Sequence, residues 1–298
     1  MNRRYREHSY YESSARERVA GVLDPDSFVE FLGPRARVMS PHLAQLDVPV
    51  AFDDGAIVGE GTLEQRPVLI AAQEGAFIGG SVGEVHGAKI VGLLERAVAT
   101  QPDAVLLLLE SGGVRLHEAN AGLLAISEIM RALLAVRVAG IPVIALIGGA
   151  NGCFGGMGIV ARCCDRVIVS EEGRLALSGP EVIETLRGVE EFDSRDRALV
   201  WRTTGGKHRF LLGDADALVA DSIPEFRAAA LQAIDAPHAF SIEAIEAQHA
   251  RLVDRRNRYG ALHDALDIWR EQGIVDPERL PVLEVQDFLR AVGERATR

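Results

Sequence analysis

The sequence predicts an α/β fold with mainly parallel strands, and three observations carry that prediction. Three short apolar runs, residues 67–73 (PVLIAAQ), 104–109 (AVLLLL) and 142–147 (PVIALI), lack the polar alternation of a half-exposed strand, as strands covered on both faces do. Each run is followed by a glycine-rich turn and then by residues with helical apolar spacing. The runs start about 37 residues apart, a structural repeat without evident sequence identity.

Taken in order, the first strand leads through Gly79-Gly80-Ser81-Val82-Gly83 to a helix over 85–99. The second leads through Ser111-Gly112-Gly113 to a helix over 118–138, and the third through GGANGCFGGMG (148–158) to a short helix ending at Ala161. Residues 166–170 and 174–178 read as two further short strands around Glu171-Glu172-Gly173. Beyond Pro180 the chain becomes acidic and helical, with helices expected over 225–234, 242–256 and 261–272. Arg251, Arg255, Arg256 and Arg258 fall near the end of the middle helix, where positive charge suits the helix dipole. The expected organisation is a polar surface arm (1–20), an α/β domain (21–222) and a helical C-terminal extension (223–298).

Composition narrows the function. The chain has 298 residues, 48% hydrophobic and 25% charged, enough to bury a sizeable core. A net charge of −11 argues against nucleic acid and anionic membranes as partners. Three cysteines, Cys153 and the adjacent Cys163 and Cys164, do not form a secreted disulfide framework and fit a reducing, cytoplasmic setting. The first residues lack the apolar core of a signal peptide, and no window offers 18 uninterrupted apolar residues. Eight histidines make no HExxH or paired CxxC arrangement, so no metal site is expected; Cys163 and Cys164 read as core.

The glycine pairs carry the chemistry. Gly112-Gly113, Gly149-Ala150 and Gly155-Gly156 each follow a buried strand, where main chain can approach a ligand closely and present N–H groups to a developing negative charge. Tight strand-to-helix turns are the plain alternative for any one of them. Gly79-x-Ser81-x-Gly83 matches the nucleophile elbow of α/β-hydrolases, although Gly75, Ala76 and Phe77 separate it from its strand, and Gly156-x-Gly158-x-x-Ala161 matches a dinucleotide fingerprint placed too late after its strand. His117 and Glu118, beside the SGG turn, are candidate acid–base groups or helix-start residues. Arg115 can hold a substrate carboxylate or pair with a neighbouring acid.

Several segments together resemble a known family. ARERV (15–19) with LDPDSFVEF (23–31), then GGSVGEVHGAKI, SGGVRLHEA, IGGANGCFGGMG and ALSGPEVIE, follow the order and spacing of biotin-dependent carboxyltransferase domains over about residues 15–222. Within that family the SGPEVIETLRGVEEFDSRDRALVW stretch and the overall length resemble most the β subunits of biotin-independent malonate decarboxylases. The resemblance implies a crotonase-like spiral of ββα units over 21–222, of the N-type carboxyltransferase kind. It implies decarboxylation of a malonyl thioester to the acetyl thioester, the acyl group riding on the phosphopantetheine-type arm of an acyl carrier subunit, with no cofactor bound by this chain. The amides of Gly112 and Gly113 are assigned to the enolate oxygen, with the Gly149-Ala150 turn as a second cradle. Gly79, Gly80, Ser111, Arg115, Gly155 and Gly156 are assigned to substrate binding. The chain lacks the four-cysteine zinc ribbon of bacterial acetyl-CoA carboxylase β subunits and has room for one spiral domain only, so a second, γ-type carboxyltransferase-like subunit is expected to complete the site. Three alternatives remain: a carboxyltransferase β subunit of a biotin-dependent acyl-CoA carboxylase, a serine hydrolase using Ser81, and a catalytically silent subunit that only binds the carrier protein.

Overall fold

The computed structural model describes residues 9–42, 55–118, 120–237, 240–262 and 264–293. Its centre is a seven-stranded sheet in which the strands lie in chain order: β1 (Val29–Phe31), β2 (Ala56–Leu63), β3 (Arg66–Gln73), β4 (Ala104–Leu108), β5 (Val143–Ile147), β6 (Arg166–Ser170) and β7 (Ala217–Val219). β1, β2 and β3 pair antiparallel; from β3 onward every neighbour is parallel, with Val68 opposite Ala104, Val105 opposite Val143, Ile144 opposite Arg166 and Ile168 opposite Ala217. The expected parallel α/β core is therefore present. The sequence reading had missed β1, β2 and β7.

Both faces of the parallel strands are covered, which explains their unbroken hydrophobicity. Side chains alternate along each strand: Val105, Leu107, Val143, Ala145, Val167 and Val169 belong to one core cluster, and Ala104, Leu106, Leu108, Ile144, Leu146 and Ile168 to the other. On the first face lie α2 (Glu84–Thr100), α3 (Ala121–Val138) and α4 (Gly155–Cys163). On the second lie α1 (Ala15–Val22) and, from far along the chain, α8 (Ile223–Asp235). Six further α-helices occur among the described residues: α5 (Pro180–Arg187), α6 (Arg197–Thr204), α7 (Gly206–Leu211), α9 (Ile242–Tyr259), α10 (Ala265–Glu271) and α11 (Val285–Val292).

Each core strand is extended by a one-residue bridge beyond its end. Val82 bridges Val114, while Ser111, Cys153 and Leu175 form a second parallel ladder above the main sheet. Strand, bridge and helix repeat as a ββα unit, the plan the family resemblance implies.

Four sequence expectations are corrected. Residues 1–8 lie outside the described residues, but the rest of the supposed arm packs on the core through one face: Ser14 caps α1 through a reciprocal capping box with Glu17, and Tyr10, Arg18, Val19 and Val22 are buried. Residues 174–178 are not a strand, because the chain crosses the end of the sheet there, where Arg174 meets Gly205 and Leu175 meets Cys153 as isolated bridges. The boundary at 222/223 runs through the core, since Phe226 on α8 is fully buried against Tyr10. The helix expected to begin at Glu118 begins at Ala121, after a 3-10 turn over Leu116–Glu118. No helix among the described residues is long and apolar enough to cross a membrane.

Candidate active site

Three turns converge above the carboxyl ends of β3, β4 and β5, the end of a parallel sheet where ligands are usually received. The Gly112 amide donates to the Gly79 carbonyl (2.9 Å), the Val82 amide to the Gly113 carbonyl (2.9 Å), and the Phe154 amide to the Ser111 carbonyl (2.7 Å). The turns carrying Gly79, Gly112-Gly113 and Gly155 are thus stitched into one surface, and a Cβ on Gly155 would stand 3.1 Å from the Gly113 Cα.

Helix α4 starts at that surface. Its N-cap is Phe154, which has no side-chain oxygen to cap the first turn. The Gly155 amide is held by the Leu177 carbonyl at 2.8 Å. The amides of Gly156 and Met157 lie in the first turn, where no preceding helical carbonyl can take them. Gly156 is partly exposed whereas Met157 is fully buried, so the Gly156 amide is the one open to a ligand, with the positive end of the helix dipole behind it, a geometry suited to anionic oxygen. A Cβ on Gly113, where φ is +138°, would meet nothing within 4 Å, so open space adjoins this donor.

This geometry redistributes the roles read from sequence. The Gly112 amide is committed to Gly79, and that of Gly113 is shared with the Ser111 hydroxyl at 3.2 Å; the donor available to a ligand belongs to the third turn. The Gly149-Ala150 turn is no empty cradle: the Glu110 carboxylate fills it, accepting from the Asn151 amide at 2.9 Å. Gly79 borders open space, whereas Gly80 packs onto the Glu110 carbonyl and Ser111 is fully buried, binding turns to one another. Arg115 is not at the surface. Its guanidinium is buried over the Phe77 ring and pairs with Glu118 at 3.1 Å, so it acts as structure and not as a substrate clamp. Glu118, also fully buried, accepts from the Glu84 amide at 2.5 Å and thereby caps α2, which removes it from acid–base duty. Ser81 neither caps that helix nor sits in a strand-to-helix elbow; its hydroxyl donates to the Ile78 carbonyl at 2.6 Å. Burial pushes the Cys153 and Cys164 thiols well up, so neither is a thiolate at neutral pH. Among the described residues no cluster of three metal-ligating side chains occurs.

Comparison with known proteins identifies the family. Residues 6–220 match the carboxyl transferase domain. The chain belongs to that family. It is 43% identical, over 94% of both chains, to the malonyl-S-ACP:biotin-protein carboxyltransferase MADC of Malonomonas rubra. It resembles a Pseudomonas malonate decarboxylase hetero-tetramer solved with malonate, at a TM-score of 0.79 and 44% identity, covering 86% of this chain and 94% of that one. By contrast it spans only 42% of the methylmalonyl-CoA carboxyltransferase 12S subunit of Propionibacterium freudenreichii subsp. shermanii, at 32% identity. The carboxyltransferase family and its crotonase-like fold, both expected from sequence, are borne out.

Sequence reasoning missed Arg18 and Glu110, two buried charged residues whose ion pair lies beside the glycine turns, because their partners come from distant parts of the chain.

Proposed function

We propose that this chain is the catalytic subunit of a malonate decarboxylase, converting a malonyl thioester on an acyl carrier protein to the acetyl thioester. The observation that carries this reading is the uncapped first turn of α4 opening beside Gly113. Both well-covered relatives support the substrate: the name of one specifies a malonyl-S-carrier protein, and the other is a malonate decarboxylase.

The chemistry follows from the donor. Breaking the bond between the malonyl α-carbon and its carboxylate releases CO₂ and leaves the electron pair on the thioester as an enolate. Negative charge therefore appears on the thioester oxygen. The amide of Gly156 is fixed before reaction, and a preorganised donor of this kind contributes roughly 3 kcal/mol of transition-state stabilisation. Protonation of the α-carbon then gives the acetyl thioester. The phosphopantetheine-type arm of the carrier is here part of the substrate, with its sulfur in the open space beside Gly113.

One chain does not enclose such a site. Leu116, Leu177 and Leu186 are 85%, 66% and 78% exposed. Leu177 adjoins the start of α4 through its carbonyl on the Gly155 amide, and Leu124, Ile159 and Val182 are exposed too; large exposed apolar side chains in such number fit a surface normally covered by protein. The solved relatives are a hetero-tetramer and a hetero-dimer, so we assign these side chains to contact with a second carboxyltransferase-like subunit.

A second reading, carboxyl transfer to a biotin protein, is favoured by the Malonomonas relative. Both readings share the enolate and differ in the fate of the carboxyl group. The test is CO₂ release from malonyl-carrier by the reconstituted complex with and without avidin. Turnover unaffected by avidin supports decarboxylation; loss of all turnover assigns the biotin route.

A further inference from the structure

We propose that the buried Arg18–Glu110 pair is a positioning device that sets where the first turn of α4 stands relative to the other glycine turns. This inference rests on the assignment of the Gly156 amide, in the first turn of α4, to the enolate oxygen.

Glu110 is 3% exposed and follows β4 on the face shared with α1. Arg18 of α1 is equally buried, and its Nη1 donates to one oxygen of the Glu110 carboxylate. The same arginine donates through Nε to the Tyr10 carbonyl at 2.7 Å, and its guanidinium lies 4.7 Å from the Tyr10 ring centre. The other carboxylate oxygen accepts from the Asn151 amide at 2.9 Å and from the Asn151 Nδ2 at 3.3 Å. Asn151 Nδ2 also reaches the Gly75 carbonyl at 2.9 Å, which brings in the turn after β3. A Cβ on Gly75 or Gly149 would fall 2.3 Å from the Glu110 carboxyl group, so both positions are glycine to admit it.

The next residue completes the clamp. Ser111 accepts from the Phe154 amide and donates to the Gly152 carbonyl, each at 2.7 Å. Two consecutive residues thus hold both ends of the turn 151–154: the Glu110 side chain holds its beginning and the Ser111 main chain holds its end. That turn delivers Phe154, the N-cap of α4. A carboxylate is required because three N–H groups, one of them cationic, converge on its two oxygens. Glutamine would turn an N–H₂ toward one of these donors and would leave Arg18 without its counter-charge. Buried ion pairs seldom add net stability over an apolar pair of similar size, and a role in fixing one geometry accounts for this one.

The test compares three variants in the assembled complex: Glu110→Gln, the charge-free double variant Arg18→Met/Glu110→Met, and Asn151→Ala, which leaves the pair intact and alters a surface loop. We expect kcat for malonyl-carrier decarboxylation to fall about 10- to 100-fold in all three, KM to change less than 3-fold, and no recovery in the double variant even where its Tm returns to the wild-type value. Hydrogen exchange at the Asn151 and Phe154 amides, measured without substrate, is expected to accelerate at least 10-fold in each variant. Recovery of kcat together with Tm in the double variant, or wild-type exchange at both amides, overturns the proposal by reducing the pair to a stabilising contact. If wild-type complex shows no decarboxylation, the activity assignment fails, and the exchange result still decides the clamp on its own.

Discussion

At Gly113 the main chain adopts φ +138°, and the direction in which a side chain would project is empty. Replacing it with valine places two methyl groups where the thioester must lie and imposes a backbone conformation that a β-branched residue resists. Gly113→Val is expected to lower turnover by about two orders of magnitude or more, with the far-ultraviolet spectrum unchanged; steady-state assay of the complex checks it. His208 shows a different kind of residue effect. Buried 5.9 Å from the Trp269 ring centre, it has its pKa pushed from 6.5 to about 3, first by desolvation and then by Arg209. The unfolded chain binds a proton there between those values and the folded chain does not, so stability rises with pH across that window and is lost as pH falls below about 6.5. Tm should therefore drop from pH 6.5 to 5, before most carboxylates titrate. His208→Phe should flatten that part of the profile, as thermal unfolding at several pH values will show.

At the scale of elements, sequence pattern located the three main strands to within a residue or so, because burial on both faces leaves an uninterrupted apolar run. It missed β2 because Gly59, Glu60 and Gly61 interrupt Ala56–Leu63, and β7 because three residues carry no period. The glycine turns were legible as a group, but the use of each amide was not: Gly112 is satisfied by Gly79, and Glu110 by Asn151, partners from other repeats that local sequence does not show. The buried start of the chain did leave a signal, since Ala15, Val19 and Val22 recur at helical spacing. Helix α9 is the opposite case, 18 residues with none buried. Its anchor is Arg255, which donates to the Leu212 carbonyl at 3.2 Å and pairs with Asp214 at 2.8 Å; Arg162 and Arg209 hold the same carboxylate. Arg255→Ala should leave Tm within about 4 °C, because a partly exposed pair contributes about 1 kcal/mol or less. Proteolytic cleavage within 242–259 should become several-fold faster, as mass spectrometry of the fragments can show.

For the whole molecule, Gly156 at the uncapped start of α4 is partly exposed and Leu177, whose carbonyl holds the preceding amide, is 66% exposed, so water reaches the proposed donor in an isolated chain. Solvent screens an enolate and lets water compete for the amide, which removes most of the advantage of preorganised dipoles. The chain expressed alone is expected to fold but to decarboxylate malonyl-carrier at under about 1% of the rate of the complex, and adding the partner subunit should restore the rate. Full activity from a homogeneous preparation of this chain would instead place the complete site within it.

The order of the strands carries a consequence for synthesis. Every strand from β2 onward pairs with its immediate predecessor, so the sheet can grow by accretion as the chain leaves the ribosome, one repeat at a time. Its lower cover cannot: Tyr10 and Val19 await α8, and Phe226 closes over Tyr10 with ring centres 4.1 Å apart only after more than 200 residues have emerged. Until then a nascent sheet carries one apolar face covered only in part, by α1. Stalled chains released at residue 222 should be captured by chaperones and cut by low protease, whereas chains extended past residue 240 should resist. A gradual gain in resistance with no step on completion of α8 would show that the late helix is not what seals the fold.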